Sequence, residues 1–283
     1  MAVRTILVPV DGSVAGRVAL ETALRVAREH DAHVDALHVR PDPAVGVPLV
    51  GEGMSAGMVE ELIDLAEKET AARAREARAL FDRVQADHGL PLASDPKGPA
   101  PSIAYVEVDG REEEQIARRG RVHDLIVLAR PSQRPDTDAT VILNAALFET
   151  GRPVLVAPVR EGAIGRRVAI AWNGSAEAAR AVAAAMDFLR LADSVEVVSA
   201  DPDRAGDVSL GELAEFLAWH GIVAREQTLE EAGHAGEAVA KAVASADLVV
   251  MGAYSHSRLR QLILGGVTRY MLEHAPSALL MAH

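Results

Sequence analysis

The chain has 283 residues, a formal net charge of −12, 49% hydrophobic and 3% aromatic residues, and no cysteine. The missing cysteine excludes disulfides, thiol catalysis, cysteine-ligated zinc and Fe–S clusters. The acidic excess, shared by both halves, argues against nucleic-acid binding, which needs a concentrated basic surface. The length fits two ordinary domains or one large one, and a core of Ala, Val, Leu and Ile suits closely packed α/β layers.

In chain order, the N-terminus leads directly into a strand, Ile6-Leu7-Val8-Pro9-Val10, with no signal-peptide pattern. No apolar run approaches the ~20 residues that span a bilayer, so a soluble cytoplasmic protein without membrane contact is expected. The strand ends in Asp11-Gly12-Ser13, and Ser13 is placed to cap a helix carrying Leu20, Ala23, Leu24 and Ala27. Val34 to Val39 reads as a second strand. Residues 41–57 are rich in Pro, Gly and Val. From about Met58 to His88 the pattern predicts a solvated amphipathic helix lying on the sheet, and residues 89–101 read as a proline-rich loop. Glu112-Glu113-Glu114 reads as a first helical turn, where acids favour the dipole. Asp124 to Ala129 and Pro153 to Ala157 are further strands, and Pro158 to Gly165 reads as a linker.

The second half repeats this order. Val168-Ala169-Ile170-Ala171-Trp172 ends in Asn173-Gly174-Ser175, and the next helix carries Ala178, Ala181, Val182, Ala185 and Met186. Strands follow at Val195 to Ser199, Asp247 to Met251 and Ala278 to Ala282. Short apolar strands alternating with helices argue for parallel sheets of βαβ units, one doubly wound domain over 1–160 and another over 161–283.

The loop after Met251 is the most informative stretch. Gly252, Ala253 and Ser255 sit where a strand ends, and Gly265, Gly266, Val267 and Thr268 where a helix begins. That placement lets backbone N–H groups converge on an anion, with the helix N-terminus adding partial positive charge; a phosphate is the natural guest. The corresponding loop of the first half, Ala129 to Val141, has no glycine, two prolines that remove N–H donors and two aspartates that repel phosphate.

The arrangement resembles the universal stress protein (UspA-like) family over nearly the whole chain, as a tandem pair. The family loop reads Gly-x-x-Gly, nine residues, then Gly-Ser or Gly-Thr. Gly252 and Gly265 match, whereas Ser255 stands at the second glycine and Gly266 at the hydroxyl position. The resemblance implies two tandem Rossmann-like (adenine nucleotide alpha hydrolase-like) domains, each a mainly parallel five-stranded sheet with helices on both faces. It implies ATP or AMP in the second half, with Mg²⁺ if a triphosphate is bound. Ala171, Asn173 and Gly174 fall at the first-strand end, where the family has an acid in place of Asn173, and Ser199 or Ala200 falls beside adenine. Met251, Gly252, Ala253, Ser255, His256, Arg258, Gly265, Gly266, Val267 and Thr268 form the phosphate side, and Arg269 is a further cation nearby. Asp11 and Val39 keep the matching positions of a vestigial first site.

Other signatures fail. Gly51 to Gly57 has no strand before it and the wrong spacing for a phosphate loop. His30, His33 and His38 show no metal-ligand pattern, and Ser175 lacks the context of a nucleophile elbow. No catalytic residue is assigned. The expected protein is a stress-response binding module with an adenine nucleotide, an unknown protein partner and a homodimeric state. Its terminal strands are edges open to pairing between the halves or between chains. The alternatives are a scaffold with both sites degenerate and a slow ATPase.

Overall fold

The structure, a computed structural model, describes residues 2–41, 56–131, 137–159, 162–200, 208–229, 235–253 and 266–283. The first half runs β1 (Thr5–Pro9), α1 (Val14–His30), β2 (His33–Arg40), α2 (Ala56–His88), β3 (Ser102–Asp109), α3 (Glu112–Gly120), β4 (Leu125–Leu128), α4 (Thr137–Glu149) and β5 (Val154–Val156). The second runs β6 (Arg167–Ala171), α5 (Ala176–Leu191), β7 (Ser194–Ser199), α6 (Leu210–Trp219), β8 (Ala224–Thr228), α7 (Ala235–Ala242), β9 (Leu248–Gly252), α8 (Gly266–His274) and β10 (Ala278–Ala282). Both predicted serine caps form: Ser13 Oγ accepts from Gly16 N at 2.9 Å and Ser175 Oγ from Ala178 N at 3.2 Å. Each leaves its helix start with one fewer orphan donor.

Within each half the strands are parallel. The halves join through β5 and β10, which pair antiparallel with Leu155 opposite Leu280. The result is one ten-stranded sheet in the order β3-β2-β1-β4-β5-β10-β9-β6-β7-β8. The terminal strands thus cover each other inside one chain, which leaves β3 and β8 as outer edges.

Helices cover both faces, as doubly wound sheets require. Leu20 and Leu24 of α1, Phe81 and Val84 of α2, Val182 and Phe188 of α5, and Leu213 and Leu217 of α6 pack in one core layer. Ile116 of α3, Leu143 and Leu147 of α4, Val239 of α7, and Met271 and Leu272 of α8 pack in the other. At the amino edge one device is used twice. The Asp124 carboxylate accepts from Arg4 N and Thr5 N, and that of Asp247 from Arg166 N and Arg167 N.

One expectation changes. α2 lies on the sheet only through its later turns, where Ala77, Phe81 and Val84 are buried. Leu65, one of the residues whose spacing predicts the helix, is 61% exposed, as the early turns pass beyond the sheet's support. No described helix is long and apolar enough to cross a membrane.

Candidate functional site at the carboxyl edge of the second half

In open α/β sheets ligands meet the carboxyl ends of the strands where the strand order reverses. In the second half that point lies where β6, β7 and β9 end together. Ala171 is in register with Val198 on one side and Met251 on the other, and Gly252 lies opposite Ala282. Neighbouring strands run about 4.8 Å apart, so Ala171, Ser199, Met251 and Gly252 share one short stretch of edge. Trp172 N donates to Val198 O at 2.8 Å before the chain turns at Asn173-Gly174. Asn173 Oδ1 accepts from Ser175 N at 3.2 Å and from Ser175 Oγ at 2.8 Å.

Gly252 turns a sequence pattern into a steric requirement. A Cβ there would stand 2.6 Å from Ala178 N and 2.9 Å from Glu177 Cβ. The first turn of α5 therefore crosses the end of β9 at a separation that only glycine permits. On the opposite face α8 begins at exposed Gly266, and a Cβ there would meet nothing within 4 Å among the described residues. The first N–H groups of a helix lack intrahelical acceptors, so this end offers donors beside open space.

The remaining residues divide by burial. Met251 and Ala253 are core residues and can offer only backbone, and Ala253 N is already given to Ala282 O at 2.9 Å. Ser199 is buried, Ala200 and Val267 are half-buried, and Thr268 is 5% exposed, so its side chain belongs to the interior. Arg269 is committed to Glu273 at 2.7 Å on the outer face of α8. Ser255, His256, Arg258 and Gly265 lie outside the described residues. The described edge positions Ala171, Asn173, Gly174, Ser199, Ala200, Gly252 and Gly266 are all uncharged.

The first half keeps the same scaffold bonds. Val10 N donates to Leu37 O at 2.8 Å as Trp172 N does to Val198 O, and Asp11 Oδ1 accepts from Ser13 N at 2.9 Å. The ligand side differs. A Cβ on Gly12 would lie 3.0 Å from the Glu76 backbone, because α2 passes directly over this turn. Ala129 takes the place of Gly252, and Arg130 directs its guanidinium to backbone carbonyls across the molecule rather than into the edge. Val39 is half-buried against the core. An open groove of about 780 Å³ remains between α2 and the ends of β2 and β3, lined by Arg40, Glu67, Thr70, Arg75 and Asp109 among others. Arg40 there is already paired with Glu107 and Asp109.

A polar cluster lies at the opposite, amino edge of the first half. His33 Nδ1 is 2.8 Å from Ser102 Oγ, and its Nε2 is 3.2 Å from Asp35 Oδ1. His123 Nε2 meets Asp35 Oδ2 at 3.0 Å, while its Nδ1 donates to Arg119 O at 2.9 Å. Burial raises the Asp35 pKa, but the hydrogen bonds from His123 and then His33 outweigh it and hold the carboxyl well below the usual range. Ser102 is only 2% exposed, so its hydroxyl is a packing partner and no substrate can reach it. Among the described residues no group of three His, Cys, Asp or Glu could hold a metal ion.

Two tandem Rossmann-like α/β units, joined through their last strands, define the class of protein. The universal stress protein family matches residues 2–139 and again 165–283, and the chain belongs to that family. No curated protein matches it at a significant level. Among solved structures, a universal stress protein from Archaeoglobus fulgidus DSM 4304 is 16% identical with a TM-score of 0.67, over 98% of this chain and 97% of its own. A functionally unknown protein from Pseudomonas aeruginosa PAO1 is 18% identical with a TM-score of 0.58, over 99% and 92%. A universal stress protein solved in complex with cAMP is 15% identical with a TM-score of 0.35, over 56% of this chain and 98% of its own.

Arg130 is the residue that sequence reasoning missed. Its partners lie up to 147 positions away, and no local pattern announces a bond of that range.

Proposed function

We propose that this chain is a nucleotide-binding universal stress protein with one adenine-nucleotide site, for ATP or AMP, in a second domain spanning 161–283. The observation that carries this reading is the pairing of a strand end at Gly252, where α5 closes in, with an open helix start at Gly266. Backbone at Gly266 would meet phosphate, and the ends of β6 and β7 at Asn173 and Ser199 would meet the nucleoside. Mg²⁺ would arrive with a triphosphate and be held by its oxygens. The protein would act as a binding module whose occupancy is read by a protein partner. The first domain, 1–160, would serve as scaffold, since α2 crosses its turn and Arg130 is spent elsewhere.

A second reading, a scaffold with no nucleotide at all, draws on one observation: Asn173 replaces the family's acid and its Oδ1 is taken by Ser175.

Gly266→Asp tests the site cleanly. Among the described residues nothing lies within 4 Å of a Cβ at this position, and a carboxylate at a helix start favours folding by about 0.5 kcal/mol. Thermal stability is expected to hold or rise while ATP affinity in a calorimetric titration falls at least about tenfold through like-charge repulsion. Unchanged ATP affinity in a folded Gly266→Asp protein would contradict the site. Absence of binding by the unmodified chain would favour the scaffold.

A further inference from the structure

Arg130 has no part in the reading above, yet its surroundings are unusual for a charged group. Burial pushes its pKa down to about 10, and among the described residues its hydrogen bonds run only to backbone carbonyls. Nε donates to Ala157 O at 3.2 Å, Nη1 to Met271 O at 3.2 Å and Leu272 O at 2.8 Å, and Nη2 to Ser277 O at 2.5 Å. These acceptors come from the end of β5, the last turn of α8 and the start of β10. A buried cation is costly unless its donors are satisfied, and the planar guanidinium can satisfy several at once.

One contact has a definite cause in the sequence. The Leu272 carbonyl would normally receive the N–H four residues on, but that residue is Pro276 and has none. Met271 O keeps its own partner, Ala275 N, at 3.0 Å. Arg130 supplies the missing donor from the other half of the chain, at a helix end where positive charge also suits the dipole. Val159 N to Pro276 O, at 3.0 Å, closes the same seam. The brace is one-sided. The matching position in the second half is Ala253, where His283 Nδ1 meets Ala253 O at 3.1 Å and the His283 ring lies edge-on to Phe148 of α4.

We propose that Arg130 is a positioning residue for the second-half site: reaching across the seam from the first half's altered loop, it fixes the last turn of α8 and so the placement of Gly266 at the other end. This rests on the nucleotide reading given above. α8 has nine residues and is a rod about 13 Å long. Midway, Tyr270 packs so closely on α7 that a Cβ at Gly236 would lie 2.7 Å from Tyr270 Cβ. With that contact as pivot, freeing the carboxyl end swings the amino end.

The test compares the unmodified chain with Arg130→Met and Arg130→Lys, using ATP and adenosine as probes and hydrogen exchange on the ligand-free proteins. Arg130→Met should weaken ATP about tenfold and adenosine by less than about twofold, because only the phosphate end is displaced. Amides of α8 should exchange faster while those of α4 do not change. Arg130→Lys, which keeps the charge and fewer donors, should fall between, and it carries the test alone where Arg130→Met does not fold. Equal losses for ATP and adenosine would show a general structural role and overturn the proposal, as would unchanged ATP affinity or unchanged α8 exchange. An unmodified chain that binds neither probe would remove the nucleotide reading, and α8 exchange would then decide separately whether Arg130 braces the helix.

Discussion

The two carboxyl edges of this molecule are built on the same bonds and differ in what packs over them. Asp11 and Asn173 occupy the same turn and each accepts from the serine two residues on, at 2.9 and 3.2 Å. The backbone bonds that carry β1 and β6 into those turns are both 2.8 Å long. The divergence lies in single atoms and one helix. Gly252 admits the first turn of α5 where Ala129 carries a Cβ, and α2 seals the turn at Gly12. The sheet and the shape of its edge are therefore written in different residues. The backbone ladder tolerates sequence drift because every residue except proline supplies its main-chain donor, whereas the close approach of α5 to the end of β9 depends on one missing methyl group.

That contrast can be broken at its most demanding point. Gly252→Val should cost about 3 kcal/mol through overpacking against Ala178, read from urea unfolding, and should remove ATP binding with it. A neutral result would mean that the close approach is not a constraint. The amino edges sharpen the contrast in the other direction. Asp35 is held by two histidines, while its counterpart Glu196 only approaches Arg225 at 4.0 Å. Because the folded Asp35 pKa is depressed, its stabilisation is complete above the unfolded value of ~3.9 and fades as pH falls below it. Asp35→Ala should cost about 2 kcal/mol at neutral pH, and urea midpoints should converge with those of the unmodified chain in acid. A gap that widens in acid would contradict the cluster's role. The smallest effect is expected at Ala129→Gly, about 1 kcal/mol from backbone entropy alone, with no gain of nucleotide binding, since α2 still covers the turn at Gly12.

Much of this architecture was legible in the chain. The apolar runs at Ile6–Val10 and Val168–Trp172, each closed by Asp or Asn, Gly and Ser, announce the repeat because strand burial and helix capping act locally. Gly252 was legible as a glycine at a strand end, but the packing reason for it, contact with α5, depends on how two elements cross. The antiparallel pairing of β5 with β10 could be read only as one of two alternatives, since an apolar strand does not state its neighbour. Leu62 and Leu65 follow helical spacing yet stay exposed, because periodicity predicts a helix and says nothing of where the sheet beneath it ends. Arg130 was hidden altogether: the orphaned Leu272 carbonyl explains it only once Pro276 is seen across the seam.

One adenine-nucleotide site per chain, confined to the second half, is the proposal on which the binding predictions depend. The direct test is the stoichiometry of ATP on the purified, unmodified chain, from calorimetric titration together with native mass spectrometry. One nucleotide per chain is the expected result. Two per chain would show that the edge at Asp11 still binds despite α2, and none would show that both edges have become scaffold.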